Sequence, residues 1–249
     1  MDVNPPDDST GPDPGRFPTT HWSRVAAACA TADPGSREAL EGLCRDYWYP
    51  LYALIRRKGH GPDEAADLVQ GFLADLLERG DLAAADRARG RLRSFLSTAC
   101  VHFLANRRDH DRARKRGGGR VPVPIDALRA EGRYGAEPAD ALTPERLFER
   151  RWALTLLDRA LSSVADEEAR AGRSGLFERL RAVLTDEPGA SSYAALAREL
   201  GVGESAMRTA ALRLRRRFRE ALRAEVALTV NDPAAVDDEL AALFEALSA

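Results

Sequence analysis

Long apolar runs are missing from this chain. No stretch approaches the roughly 18 consecutive apolar residues of a membrane-spanning helix, so no helical span is expected. Cysteine is scarce. Cys29, Cys44 and Cys100 are odd in number, far apart and set in apolar helical patterns. They read as buried free thiols of a cytoplasmic protein, not as a disulfide frame or a metal cluster. The four histidines show no ligand spacing, so no metal is expected. Aromatics make up only 6% of the residues. Alternating strand patterns are absent beyond "RVPVPI", which argues against a sheet. The chain carries no phosphate loop and no nucleophile–base arrangement, so an enzyme is the least supported class and no cofactor is implied. The opening "MDVNPPDDSTGPDPG" lacks the basic start and apolar centre of a secretory signal. Residues 1–16 read instead as a disordered acidic tail.

What the chain does have is leucine, alanine and charge. Hydrophobic residues reach 44% and charged residues 31% of the 249, a composition that favours well-packed helices. The net charge of −2 conceals a strong asymmetry. From Arg87 to Arg116 there are ten basic and two acidic residues, and from Arg208 to Arg223 seven basic and one acidic. The last nineteen residues carry five acids and no base. Two separated basic blocks in a mildly acidic chain suggest two contacts with a polyanion.

Helical periodicity organises these blocks. Leu40, Leu43, Tyr47, Leu51 and Leu54 recur at helical spacing, with Ser36 as a candidate cap and Pro50 as a local kink. "PDEAADLVQGFLADLLERG" has Pro62, Asp63 and Glu64 in its first turn and a stripe of Ala65, Leu68, Val69, Phe72, Leu76 and Leu77. The next helix is apolar at Leu92, Phe95, Leu96, Ala99, Phe103 and Leu104 and basic at both ends. Residues 117–144 are rich in glycine and proline and weakly periodic, the pattern of a flexible linker. A second helical block covers 145–230. Asp232–Pro233 then caps an acidic helix within 231–249, with Val236, Leu240, Leu243, Phe244 and Leu247 as its stripe. The expected fold is all-α: two small helical bundles, 17–116 and 145–230, joined by a flexible linker. Trp48 and Trp152 are expected to anchor the two cores. The acidic helix is expected either to pack on the second bundle or to compete for its basic helix.

The second bundle contains "ARELGVGESAMRTAALRLRRRFRE", which has the pattern of a helix-turn-helix. Ala197 is the small residue where two helices would cross, and Gly201 can take the left-handed turn. Leu196, Leu200, Val202 and Met207, with Ala210, would pack inward. Glu204, Ser205, Arg208, Thr209 and Arg213 would face outward near the start of the second helix, where base edges are reached in a major groove. Arg215, Arg216, Arg217 and Arg219 lie further along and suit phosphates, which position a protein without specifying a sequence. An amphipathic helix pair with a solvated arginine face fits this window too.

The first block narrows the choice. "DEAADLVQGFLADLLERG" followed by "RGRLRSFLSTACVHFLANRRDHDRARKR" resembles domain two of the extracytoplasmic-function sigma factors of bacterial RNA polymerase. The downstream window resembles their domain four. The order is the same, and an intervening third domain is lacking in both. The resemblance spans roughly 40–116 and 176–223, and the tandem is far more specific than either part. It implies a non-enzymatic subunit that docks on core polymerase, reads promoter DNA and helps to open it, with an anti-sigma factor as a potential partner, no membrane contact and a monomeric state. The core-polymerase face would comprise Asp67, Gln70, Gly71, Ala74, Asp75 and Glu78. The proximal promoter element would be held by Arg91, Arg93, Asn106, Arg107, Arg108, Arg112, Arg114, Lys115 and Arg116. The residues facing outward from the helix-turn-helix would read the distal element.

Three departures from the family pattern stand out. The tryptophans common on the proximal element helix are absent; Trp22, Trp48 and Trp152 lie elsewhere. Phe95 and Phe103 fall on the apolar stripe and read as core. In the helix-turn-helix, Gly203 occupies a usual capping Ser or Thr position, and Ala210 replaces a frequent arginine. Two alternatives follow. One is a stand-alone helix-turn-helix regulator, which would not need the first block. The other is a sigma-like adaptor that binds polymerase without melting promoters.

Overall fold

The computed structural model describes residues 34–78, 91–114, 125–135, 142–181, 190–230 and 232–248. Its regular structure is helical, with no strand among the described residues. The helices are α1 (Pro34–Arg57), α2 (Pro62–Glu78), α3 (Leu92–Arg114), α4 (Ile125–Gly135), α5 (Pro144–Arg170), α6 (Ser174–Leu180), α7 (Ala190–Glu199) and α8 (Glu204–Ala227). A 3₁₀ turn, Pro233–Ala235, then leads into α9 (Val236–Ser248).

Local chemistry explains several of these boundaries. α2 starts at Pro62, whose missing N–H costs nothing in a first turn, and Asp63 and Glu64 complement the dipole there. α1 continues through Pro50. The Thr143 hydroxyl caps α5 by accepting from the Arg146 N–H at 3.3 Å, with Pro144 in the first turn. Asp232 accepts from the Ala234 N–H at 2.9 Å, and Pro233 opens the turn into α9, as the Asp-Pro pair suggests.

α5 is the central element. Its first half presents Phe148, Trp152, Ala153, Leu156 and Ala160 to a large buried cluster. To that cluster α1 supplies Tyr47, Leu51 and Leu54, α2 Val69 and Phe72, and α3 Leu96 and Cys100. α8 adds Leu222 and Val226, and α9 adds Leu243. Further along, Val164 of α5 joins a smaller cluster with Phe177 and Leu180 of α6, Ala197 of α7, and Met207, Ala211 and Leu214 of α8. Phe218 and Ala221 pack against both clusters. At 1.5 Å per residue, the 27 residues of α5 form a strut about 40 Å long.

Helices from both expected bundles therefore meet in the large cluster, while α6, α7 and the first part of α8 keep the smaller one. Trp152 is 2% exposed and belongs to the same cluster against which Trp48 packs. The physical reason is that α5 and the end of α8 have apolar faces that α1 and α9 cover. A stripe read from sequence says that a face must be buried, not which helix buries it.

The expected linker also contains structure. α4 lies within it and docks on α1. Glu131 accepts hydrogen bonds from Tyr52 Oη at 2.6 Å and from Arg56 at 2.9 and 2.7 Å. The Arg133 guanidinium lies 4.0 Å from the Tyr49 ring centroid. The Arg56 hydrogen bond holds the Glu131 carboxyl below its ordinary range.

Among the described residues, no helix is long and apolar enough to cross a membrane. Cys44 is half-buried and Cys100 buried, and both are free thiols. Burial pushes the Cys100 thiol up to about 12 and raises that of Cys44, so neither is a ready nucleophile. Trp22, Cys29 and the acidic tail lie outside the described residues.

Candidate functional site

Three surfaces carry the residues singled out by sequence: the outward face of α2, the length of α3, and the first turns of α8.

On α2, Asp67, Gln70, Ala74 and Glu78 are exposed, whereas Gly71 and Asp75 are half-buried. Gly71 faces α3. A Cβ built there would lie 3.2 Å from Arg107 Nη1 and 3.6 Å from Phe103 Cζ. Gly71 thus lets α3 approach closely, and the free face of α2 is narrower than expected. It consists of three polar side chains, two of them acidic, around Ala74.

On α3 the expected row of nucleic-acid contacts divides. Asn106 and Arg107 are exposed, and Arg107 also lies over the Phe103 ring at 6.0 Å. Phe95 and Phe103 are partly buried against the core, as their stripe position suggests. Arg93 is not available to a nucleic acid, which corrects its assignment. It is 4% exposed, and its Nε donates to Glu239 Oε1 at 2.8 Å. It also binds Glu149, and its guanidinium lies 4.6 Å from the Trp152 ring centroid. Burial works against its charge. The carboxylates of Glu239 and Glu149 outweigh that, and its pKa rises above the ordinary value. Arg91 Nε meets the other oxygen of Glu239 at 2.7 Å, so it too is engaged. The backbone positions of Arg108, Arg112 and Arg114 fall on α3, but their side chains lie outside the described residues. So do Lys115 and Arg116.

The α7–α8 corner is built as follows. Gly201 has φ +66°, a left-handed conformation that favours glycine. The Val202 N–H donates to Ala197 O at 3.0 Å, closing the end of α7 in a Schellman-type cap. Ala197 and Met207 are buried between the helices, with Leu196 and Ala210 packed around them. Val202, expected inside, is 47% exposed. Gly203 caps α8 with backbone alone and makes no side-chain cap bond, consistent with a weak cap.

Outward from this corner, Glu204, Ser205, Arg208, Thr209, Arg213, Arg216 and Arg219 are exposed. Arg208 pairs with Glu204 at 2.6 Å, and the Thr209 hydroxyl donates to Ser205 O at 2.9 Å. Two assigned residues are less open. Arg215 is half-buried, and Arg217 binds Glu168. Glu168 also accepts from Arg173 at 2.6 and 3.1 Å, and the Arg173 hydrogen bond holds its carboxyl below the ordinary range. Leu212, not among the expected site residues, is 64% exposed between Arg208 and Arg216. The i, i+4 recurrence 208–212–216 would have placed it on that face.

The acidic helix does not lie along the free face of α8. It packs on α5 and on the end of α8, and Arg223 binds Asp237. Its apolar stripe is buried or packed against the core at Val236, Leu240, Leu243 and Leu247 and departs from expectation at one position. Phe244 is 55% exposed, while Glu239 is fully buried. Glu239, Glu149 and the second ion cluster of Asp46, Arg159 and Glu225 were not singled out from sequence. Each makes its contacts across tens of residues, so spacing carries no signal for them.

Protein-family models, curated proteins and solved structures were all compared with the chain, and none matches it. Among the described residues, no group of three or more histidine, cysteine or acidic side chains could hold a metal ion.

Proposed function

We propose that the chain is a promoter-specificity subunit of bacterial RNA polymerase, of the sigma-factor type. The carrying observation is the α7–α8 corner. It combines a left-handed glycine, a small-residue crossing and a second helix whose solvent face begins with Glu204, Ser205, Arg208 and Thr209. These features fit a helix-turn-helix whose second helix enters the major groove. Arg208 and Thr209 suit base edges, Leu212 suits a thymine methyl group, and Arg213, Arg216 and Arg219 suit phosphates. Upstream, the polar face of α2 suits an arginine-rich docking surface on polymerase. Asn106 and Arg107 lead the proximal contact.

The sigma-like adaptor has one specific observation in its favour. Arg91 and Arg93 are held by Glu239, which leaves fewer cations on α3 for an unpaired strand. One experiment separates the readings. Purified chain is added to core polymerase with a promoter library, and the transcripts are sequenced. Core-dependent transcripts downstream of a shared two-part motif support the sigma reading. Core binding without transcription selects the adaptor, and sequence-specific DNA binding without core selects a stand-alone regulator.

A further inference from the structure

We propose that the cavity between α5, α6 and α8 is a binding site for a small aromatic carboxylate, with Arg213 as the side chain that holds its charge. The site rests on geometry alone; its effect on DNA rests on the promoter reading above.

α8 lines this cavity with Ala210, Arg213, Leu214 and Arg217. They recur at three and four residues and so share one side of the helix. α6 contributes Phe177 and Leu180, the end of α5 contributes Glu168, and Arg173 stands in the turn between those two helices. Phe177, Leu180 and Leu214 are buried, which makes the walls apolar. Arg213 is exposed, which puts its charge at the mouth.

The charges are unevenly matched. Glu168 is 6% exposed and already served: Arg173 donates to it at 2.6 and 3.1 Å, and Arg217 binds the same carboxylate. One acid thus engages two of the three guanidiniums. Arg213 has no acidic partner among the described residues. Apolar walls beneath one uncommitted cation call for an apolar body with one negative charge. Bare phosphate would leave the walls wet and bring a second negative charge toward Glu168. The volume sets the size of the body. A sealed apolar cavity of about 150 Å³ holds benzene, and this one is about 210 Å³, room for one ring and a short acidic arm. A partner helix, about 10 Å across, is too large for it.

The test uses the full chain and phenylacetate, followed by methyl NMR. Shifts should centre on Ala210, Leu180 and Leu214, with a Kd of about 1 mM for a ligand of this size. Phenylacetamide, which keeps the ring and loses the charge, should bind about tenfold more weakly. Acetate, which keeps the charge and loses the ring, should be weaker by about tenfold or more. Arg213→Gln should weaken phenylacetate about tenfold, whereas Arg198→Gln, at an exposed position of α7 outside the cavity, should not. Equal binding of phenylacetate and phenylacetamide overturns the proposal. So does an equal loss in the two variants, or a set of shifts that avoids the cavity.

The effect on DNA is read with polymerase and a labelled promoter duplex. In the promoter reading Arg213 meets a phosphate, so an occupied site removes that contact. Saturating phenylacetate, against acetate at equal concentration, should lower the slope of log K against log salt by about 0.9. Arg213→Gln should start from the lower slope and not respond. Cavity binding with an unchanged slope overturns the coupling. Cavity binding by a chain that never engages the duplex keeps the site and removes the promoter reading.

Discussion

Arg216 and Arg217 are neighbours in sequence with opposite surroundings, and the difference should be measurable. The Arg216 side chain is 73% exposed, its nearest acid being Glu220 at 3.6 Å. Such an exposed i, i+4 pair contributes only a few tenths of a kcal/mol, so Arg216→Ala should leave stability nearly unchanged. If Arg216 meets a phosphate, its loss removes one released counterion, and the slope of log K against log salt falls by about 0.9. Between 50 and 200 mM salt, the unmodified protein should then lose about 3.5-fold more affinity than Arg216→Ala. Arg217 binds Glu168, whose side chain is 8% exposed. Arg217→Ala should cost about 1 kcal/mol after discounting for the partial exposure of the arginine, because Glu168 keeps Arg173. It should leave the salt slope alone. The assay is fluorescence anisotropy of a labelled promoter duplex with reconstituted polymerase at four salt concentrations, paired with urea melts of each free variant. An equal loss of slope in both variants would refute the distinction drawn between the two side chains.

Three further outcomes are expected. Trp152→Ala empties a site that is 2% exposed in the shared core and should cost about 3–5 kcal/mol; urea unfolding followed by far-UV circular dichroism should remain a single transition, whereas two separated transitions would contradict a common core. Gly71→Ala places its Cβ against the movable end of Arg107 at 3.2 Å while gaining up to about 1 kcal/mol of helix propensity, so Tm should rise by about 2–4 °C, and a clear fall would mean that α2 and α3 cannot give. The Glu131 and Glu168 carboxyls are held low by Arg56 and Arg173 respectively. Groups whose folded pKa is depressed stabilise above the unfolded value near 4.3 and lose that contribution as pH falls through the folded pKa. The urea midpoint should therefore drop below about pH 4, and Glu131→Gln should be less stable at pH 7 but lose less on acidification.

Helices with strong stripes were legible in the sequence because periodicity reports which face must be buried. α2, the α7–α8 corner and the Asp232–Pro233 start of the last helix all lie where their residues put them. α4 was not legible. The glycines and prolines around it dominate a composition-based reading, whereas its docking depends on Glu131 meeting Arg56, 75 residues away. The joined core was illegible for a related reason: nothing in the stripe of α5 specifies α1 as its partner.

The arginines show why a basic block is not yet a footprint. Arg216 is free to solvent, Arg217 turns to Glu168, and Arg93 is buried against Trp152 between two carboxylates. All three sit in runs that read alike, and the side of the helix on which each falls decides its role. On α8 the exposed set, Arg208, Arg213, Arg216 and Arg219, recurs at helical spacing and shares its face with Leu212. On α3, between Arg91 and Arg107, the described cations divide between a carboxylate seat at one end and solvent at the other. Among the described residues, the arginines open to solvent are therefore concentrated on α8. The salt slope should accordingly depend more on the α8 arginines than on Arg91 or Arg93, and Arg93→Gln should lower thermal stability without lowering that slope. A fall in slope for Arg93→Gln equal to that for Arg216→Ala would mean that Glu239 releases Arg93 when nucleic acid binds.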